Sequence, residues 1–193
     1  MPPTPSPCSC CADRPASESR RKVIAITAVG LAAPWSLTLA NNQGPQVGDL
    51  LVEEDAEGAP KPLTVADLKP GKPLLAFPFD AKAGKARSDV RLNKVVLMKF
   101  NDADLTPALK GRAAGGVIAY SAICTHQACD VKTWISKEQA LVCFCHSSKF
   151  LLLDDAKVSG GPATRPLPAL PLKLDGDKLV IAGAFSAAPG GTA

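Results

Sequence analysis

The sequence predicts an all-β fold, and three observations lead to that class. Apolar residues occur in short runs, such as residues 95–100 and 116–123, which suit strands better than helices. Glycine and proline, with 15 and 18 copies, separate these runs. No long stretch repeats its apolar residues with the 3.6-residue period of an amphipathic helix. We therefore expect short strands joined by turns.

The predicted strands follow one another along the second half of the chain. They are residues 95–100, 116–123, 140–144, 149–153, 170–174 and 178–182. The last two flank Asp175-Gly176-Asp177, a turn signal typical of a hairpin. Two charged segments, residues 53–62 and 80–94, are expected to be surface loops.

Composition and charge favour one small globular domain without a nucleic-acid partner. Apolar residues make up 46% of the chain and aromatic residues only 5%. The net charge is +4, but four basic and two acidic residues precede residue 41, so the rest of the chain retains only +2. No basic stripe of the kind that binds nucleic acid is visible.

Residues 1–40 have the layout of an export signal or an N-terminal anchor. Arg20-Arg21-Lys22 precedes an uncharged apolar run, residues 23–40, which ends in a small residue. The paired arginines indicate the twin-arginine route, which exports proteins already folded around a cofactor. A Sec signal is an alternative, and the run is also near the short limit for a spanning helix. We predict a periplasmic location, with an inner-membrane tether through residues 23–40 left open.

Cysteine and histidine carry most of the functional information. Three of the seven cysteines (Cys8, Cys10 and Cys11) precede the paired arginines and are assigned no function. The other four cysteines and both histidines fall within residues 124–146. They form box one (residues 124–129, Cys-Thr-His-Gln-Ala-Cys) and box two (residues 143–148, Cys-Phe-Cys-His-Ser-Ser).

Two cysteines and two histidines are a common ligand set for zinc, so a zinc site is one interpretation of the two boxes. A zinc site explains four ligands but leaves one further cysteine in each box without a role. It also gives no reason for export of a prefolded protein. A domain held together only by disulfides would not need both histidines in these boxes.

The two boxes resemble the cluster-binding boxes of the Rieske iron–sulfur family. The resemblance is specific over residues 120–165 and extends over about 45–186. It implies a Rieske-type antiparallel β sandwich with a small inserted cluster-binding lobe. The implied organisation is a signal or anchor (1–40), a linker (41–47), a Rieske domain (48–186, with its lobe at about 120–165) and a flexible tail (187–193).

The same resemblance implies a [2Fe–2S] cluster and its ligands. Cys124 and Cys143 match the thiolates that bind one iron, and His126 and His146 match the imidazoles that bind the other. Neutral imidazoles in place of thiolates raise the potential of such a cluster.

The resemblance also implies a disulfide between the boxes. Cys129 and Cys145 match the pair that ties the two cluster-binding loops together in the family. Such a bond requires an oxidising compartment, which agrees with the export signal.

Five further positions are implied to lie around the cluster. Ser148 matches a serine that donates to a bridging sulfide, and Gly161 and Pro162 match a proline loop that covers the cluster. Phe150 stands where quinol-oxidising members have a tyrosine that donates to a cysteine sulfur, so we predict a lower potential than theirs. Gln127 replaces a leucine that packs at the quinol-docking tip, which argues against quinol docking.

Among Rieske proteins, the twin-arginine start, the disulfide pair, Phe150 and the ending at residues 170–183 resemble the small subunit of arsenite oxidase-like periplasmic oxidoreductases. That resemblance implies a large catalytic partner with a molybdenum centre, and a cytochrome c or copper protein as electron acceptor. The alternatives are the Rieske subunit of a cytochrome bc complex and another exported stand-alone electron carrier. An oxygenase would need a second iron bound by further histidines, which this chain lacks. We therefore expect an electron-transfer subunit that is not catalytic alone.

Overall fold

The computed structural model describes residues 44–55 and 58–191, so the predicted signal or anchor lies outside the described residues. In this part the chain forms eleven β-strands and one short α-helix, arranged as two antiparallel sheets. The all-β sandwich expected from the sequence is confirmed. Within the described residues, no helix has the length and apolar character needed to cross a membrane.

The elements follow a simple chain order. The strands are β1 (Leu50–Glu53), β2 (Leu74–Asp80), β3 (Lys85–Ala86), β4 (Val95–Lys99), β5 (Val117–Ser121), β6 (Thr133–Ile135), β7 (Ala140–Cys143), β8 (Ser148–Leu151), β9 (Lys157–Gly160), β10 (Leu172–Asp175) and β11 (Lys178–Ile181). The helix α1 (Pro107–Lys110) lies between β4 and β5. Single 3-10 turns are formed by Val65–Asp67, Arg91–Asn93, Asp102–Asp104 and Leu152–Asp154.

The two sheets divide the chain into a base and an inserted lobe. The larger sheet has seven strands in the order β10-β11-β1-β2-β4-β5, with β3 pairing with β2. The smaller sheet has the consecutive order β6-β7-β8-β9 and is inserted between β5 and β10. The predicted hairpin at the end of the domain is present, with Asp175 opposite Lys178.

Strands β4 and β5 separate two hydrophobic cores. Leu97 and Ala119 belong to the core of the seven-stranded sheet, whereas Met98 and Tyr120 belong to the core that includes β7 and β8. Because side chains alternate across a strand, a strand buried on both faces needs apolar residues at every position. This explains why these two strands are continuous apolar runs in the sequence.

Tyr120 also connects the two sheets through its hydroxyl. The hydroxyl donates to the backbone carbonyl of Leu152 at 3.1 Å and accepts from Arg112 at 2.9 Å. Burial raises the pKa of Tyr120 to about 12, so this hydroxyl stays protonated at neutral pH and remains a donor.

Several strands differ from the expectation drawn from the sequence. Strand β2 was not predicted, because Pro78 lies within it and proline counts against a paired strand. The carbonyl of Pro78 nevertheless accepts a hydrogen bond from the backbone N–H of Arg87 at 2.8 Å. Residues 80–94, expected to be a surface loop, contain β3 and end in the buried side chains of Asn93 and Lys94.

Candidate metal centre

Box one is a tight loop that begins just after β5. The backbone N–H of Cys124 donates to the carbonyl of Cys129 at 2.8 Å, and the N–H of Ala128 donates to the carbonyl of Cys124 at 3.0 Å. A further bridge joins Ile123 and Asp130 on the two sides of the loop. The end of a fully buried strand therefore fixes where Cys124 and His126 lie.

Box two is the tip of a hairpin in the smaller sheet. Strand β7 ends at Cys143 and β8 begins at Ser148, and these two residues are paired across the hairpin. The backbone N–H groups of Cys145 and His146 point back at the sulfur of Cys143. The turn therefore holds one cysteine inside the protein and places the following residues at its exposed end.

The structure groups the four predicted ligands into a pair of thiols and a pair of imidazoles. Cys124 and Cys143 are both buried and free, and their thiols are within hydrogen-bonding reach of each other. The rings of His126 and His146 are in edge contact, with centroids 4.7 Å apart. A thiol pair inside and an imidazole pair outside is the arrangement that a cluster with two thiolate and two imidazole ligands requires.

The predicted disulfide between the boxes is present. Cys129 and Cys145 are bonded, with their Cα atoms 6.5 Å apart. The sulfurs of these two residues and of Cys143 all lie within 4.8 Å of one another. The bonded pair has no thiolate to offer a metal, which leaves Cys124 and Cys143 as the free thiols of the two boxes.

One observation shows that the residues suit a metal group. The Nδ1 atom of His126 is buried and makes no hydrogen bond with any described residue, although buried polar atoms are nearly always paired. Burial raises the pKa of the Cys143 thiol, and the Cys124 thiol raises it further, while the N–H groups of Cys145 and His146 lower it. Metal binding would replace the thiol protons and supply a partner for the imidazole nitrogen.

A third loop, directly after β9, packs against box two. Gly161 has φ +82°, and a Cβ there would lie 2.7 Å from the backbone carbonyl oxygen of Ser147. Only glycine allows so close an approach. Ser148 is fully buried, and its Oγ accepts the N–H of Ala163 at 3.2 Å, so its own O–H can still act as a donor. Pro162 is exposed beside this contact.

The surroundings of the thiols and of the imidazoles differ in exposure. Phe150 is fully buried in the same core as Cys124 and Cys143, and its ring has no donor for their sulfurs. Gln127 and His146 are exposed, and the neighbouring Phe144 is 74% exposed. The imidazole end is therefore open to contact with another protein.

A charged network supports the far side of box one. The carboxylate of Asp130 accepts from Lys94 at 2.6 Å and from Arg91 at 2.9 Å. Arg91 also donates to the carbonyl of Ala128 at 2.6 Å, and Lys94 contacts Glu54 at 2.6 Å. Burial alone would raise the pKa of Asp130, but hydrogen bonding and the charges of Lys94 and Arg91 together lower it.

Sequence analysis did not identify these supporting residues. Arg91, Lys94 and Asp130 carry no motif, and their role depends on contacts across 36 or more positions. Thr125 was likewise unassigned, although its hydroxyl donates to the carbonyl of Arg165 at 2.7 Å and ties box one to the third loop. No signal within the sequence marks such distant pairs.

A protein-family model described as the Rieske [2Fe–2S] domain matches residues 79–171, which include both boxes and the third loop. The chain carries a Rieske [2Fe–2S] domain. This domain binds a [2Fe–2S] cluster and acts as an iron–sulfur electron carrier, as the sequence predicted.

Relatives of the Rieske domain come from more than one respiratory system. The chain is 32% identical over 151 residues to the Rieske subunit named for a respiratory nitrate reductase of Haloferax mediterranei, covering 77% of this chain and 64% of that protein. It is 34% identical over 99 residues to the Rieske subunit of the cytochrome bc1 complex of Corynebacterium diphtheriae, covering 48% and 24%. The chain thus spans less than two thirds of either relative.

The solved plasma-membrane Rieske protein of Synechocystis PCC 6803 is 25% identical and covers 62% of this chain and 95% of that one. The TM-score between the two structures is 0.42. None of these three relatives is named as an arsenite oxidase subunit, so that finer assignment stays a proposal.

We predict that Ala substitution of His126 abolishes the cluster, because one iron loses a ligand that no other histidine can replace. The measurement is visible absorbance together with iron content after purification. The exposed neighbour provides the control, since Gln127→Ala should keep both signals. Full absorbance in His126→Ala would show that the ligand set is wrong, and zinc in place of iron would favour the zinc alternative.

A second prediction concerns backbone strain in the boxes. Ala128 has φ +56°, in the left-handed region that costs a non-glycine residue roughly 1–2 kcal/mol. Ala128→Gly should relieve this strain and raise the free energy of unfolding by about 1 kcal/mol. The greater conformational entropy of glycine in the unfolded chain offsets part of this gain. Denaturant unfolding measures it. Ala108→Gly in α1 is the matched control and should lower stability by up to about 1 kcal/mol. Equal losses at both sites would contradict the prediction.

Proposed function

We propose that this chain is the electron-transfer subunit of an exported oxidoreductase complex of the arsenite oxidase-like kind. In this proposal Cys124 and Cys143 hold one iron, and His126 and His146 hold the other. The bound cluster supplies one-electron redox chemistry at a potential above that of all-thiolate clusters. The observation that carries the proposal is the buried thiol pair beside an imidazole pair at the exposed end of the domain.

The residues around the imidazole pair favour docking to a protein surface. Phe144 is the most exposed of the large apolar side chains in the described residues, at 74%, and it lies two residues from His146. Aromatic side chains at a protein interface contribute strongly when a partner buries them. We propose that a cytochrome c, a copper protein or the large catalytic subunit contacts this end, where the distance to the imidazoles is shortest.

A second candidate function is that of the Rieske subunit of a cytochrome bc complex. The similarity to subunits named for that complex favours it, at 34% identity over 99 residues in Corynebacterium diphtheriae. The polar, exposed Gln127 and the absence of a hydroxyl at Phe150 argue against quinol oxidation. We therefore rank it below the first proposal.

The proposed location is the periplasm, reached by the twin-arginine route. The support comes from Arg20 and Arg21 in the sequence and from the disulfide between Cys129 and Cys145, because such bonds persist in oxidising compartments. The Haloferax mediterranei relative, named as a subunit of a respiratory reductase, supports membership of a larger redox complex.

We predict that Phe150→Tyr raises the midpoint potential by about 40 mV. A new hydrogen bond to a cysteine sulfur would stabilise the reduced, more negative cluster by about 1 kcal/mol, and a one-electron couple converts 1.4 kcal/mol into 59 mV. Electrochemical titration of the purified protein measures the shift. The control is Phe79→Tyr in β2, which should leave the potential unchanged. Equal potentials in the parent and Phe150→Tyr would mean that residue 150 does not reach a ligand sulfur.

The proposed function is tested by tagged purification from the native host with mass spectrometry of the co-purifying proteins. A molybdenum-containing large subunit in the periplasmic fraction is the expected result. A cytochrome b and cytochrome c pair in the membrane fraction would overturn it in favour of the cytochrome bc alternative. Recovery of the chain alone would support a stand-alone carrier instead.

A further inference from the structure

The chain returns to the metal centre after its last strand. Beyond β11 it runs antiparallel to the segment that follows the third loop. The N–H of Ala182 donates to the carbonyl of Pro171 at 2.8 Å, and Ser186 exchanges two hydrogen bonds of 2.9 Å with Ala169. The next contact in the same direction joins Gly190 to Arg165. Residues 187–191, which we call the strap, therefore extend to box one.

The end of the strap is packed against the backbone of box one. Gly190 is buried with φ +85°, and a Cβ there would lie 3.6 Å from the Cβ of Ala128. A Cβ on Gly191 would lie 2.9 Å from the carbonyl carbon of His126 and closer still to its oxygen. A side chain on residue 191 would not fit between the strap and the loop, so Gly191 permits contact with the predicted ligand His126, while the positive φ of Gly190 favours glycine there.

Arg165 connects the strap to box one through hydrogen bonds. Its guanidinium Nη2 donates to the carbonyl of Gly190, while its own backbone carbonyl accepts the hydroxyl of Thr125 in box one. The Nε atom of Arg165 is buried and makes no hydrogen bond with a described residue. The carbonyl of Gly190 is therefore a hydrogen-bond acceptor for the half-buried guanidinium of Arg165 beside box one.

We propose that the strap is a positioning element that holds box one in its metal-binding geometry, with Arg165 as its fastening residue. Residues 187–193 were predicted to be a flexible tail, but the described part of that segment closes over His126. Box one is otherwise held by the disulfide, by Asp130 and by Thr125, which all act on its other residues. Among these contacts, only the strap packs against the backbone carbonyl of the predicted ligand His126. The proposal does not depend on which partner the domain serves.

The test compares cluster-loaded full chains. Gly191→Ala should speed the loss of visible absorbance to an iron chelator by about tenfold, a change typical of lost support around a metal ligand. A chain truncated after Pro189 should do the same without adding a side chain. Arg165→Gln should also lower the midpoint potential, because removing a nearby positive charge disfavours the reduced, more negative cluster. Arg165→Lys should restore the potential in part.

The matched control is Gly111→Ala at the end of α1, where a Cβ meets only ordinary contacts at 3.6 Å or more. It should lose the cluster at the parent rate. Parent-like loss rates in the truncated chain would overturn the proposal. If Gly191→Ala does not fold, hydrogen exchange in the cluster-free truncated chain decides: faster exchange at the N–H groups of Cys124 and Ala128 supports the strap, and unchanged exchange refutes it.

Discussion

The metal centre depends on one covalent link between two loops that belong to different sheets. Box one follows β5 of the larger sheet, and box two is the tip of the β7–β8 hairpin in the smaller sheet. The disulfide between Cys129 and Cys145 closes a loop of 16 residues, which is worth about 3 kcal/mol in a chain-entropy description. Because each box supplies one thiol and one imidazole, relative movement of the boxes would separate both like pairs at once. The disulfide opposes that movement.

The elements beneath the boxes make this link effective. Strand β5 is buried on both faces, so box one starts from a fixed point. Asp130, held by Lys94 and Arg91, secures the other end of the loop. In box two, the hairpin pairing of Cys143 with Ser148 serves the same purpose. Ligands placed at the ends of rigid strands keep their geometry with little dependence on loop flexibility.

The sequence predicts the ligands better than their support. Spacing alone isolates both boxes, and the resemblance supplies the disulfide that the structure contains. Strands β4 and β5 were predictable because two-sided burial demands continuous apolar runs. Strand β2 was not, since Pro78 is a local signal against a strand that tertiary pairing overrides. Arg165 and the Gly190-Gly191 pair look unremarkable in the sequence, because their role depends on contacts with residues far along the chain.

Four residues of the two boxes that are not predicted ligands fall into two physical groups. Ala128 and Ser147 have φ +56° and +59°, so the loops hold these two non-glycine residues in a strained conformation. Gln127 and Phe144 instead lie exposed at the imidazole end. The first group affects the stability of the loops, and the second alters the exposed surface at the imidazole end. The two groups therefore act on different properties of the domain, the first on the loops that carry the predicted ligands and the second on the exposed surface beside them.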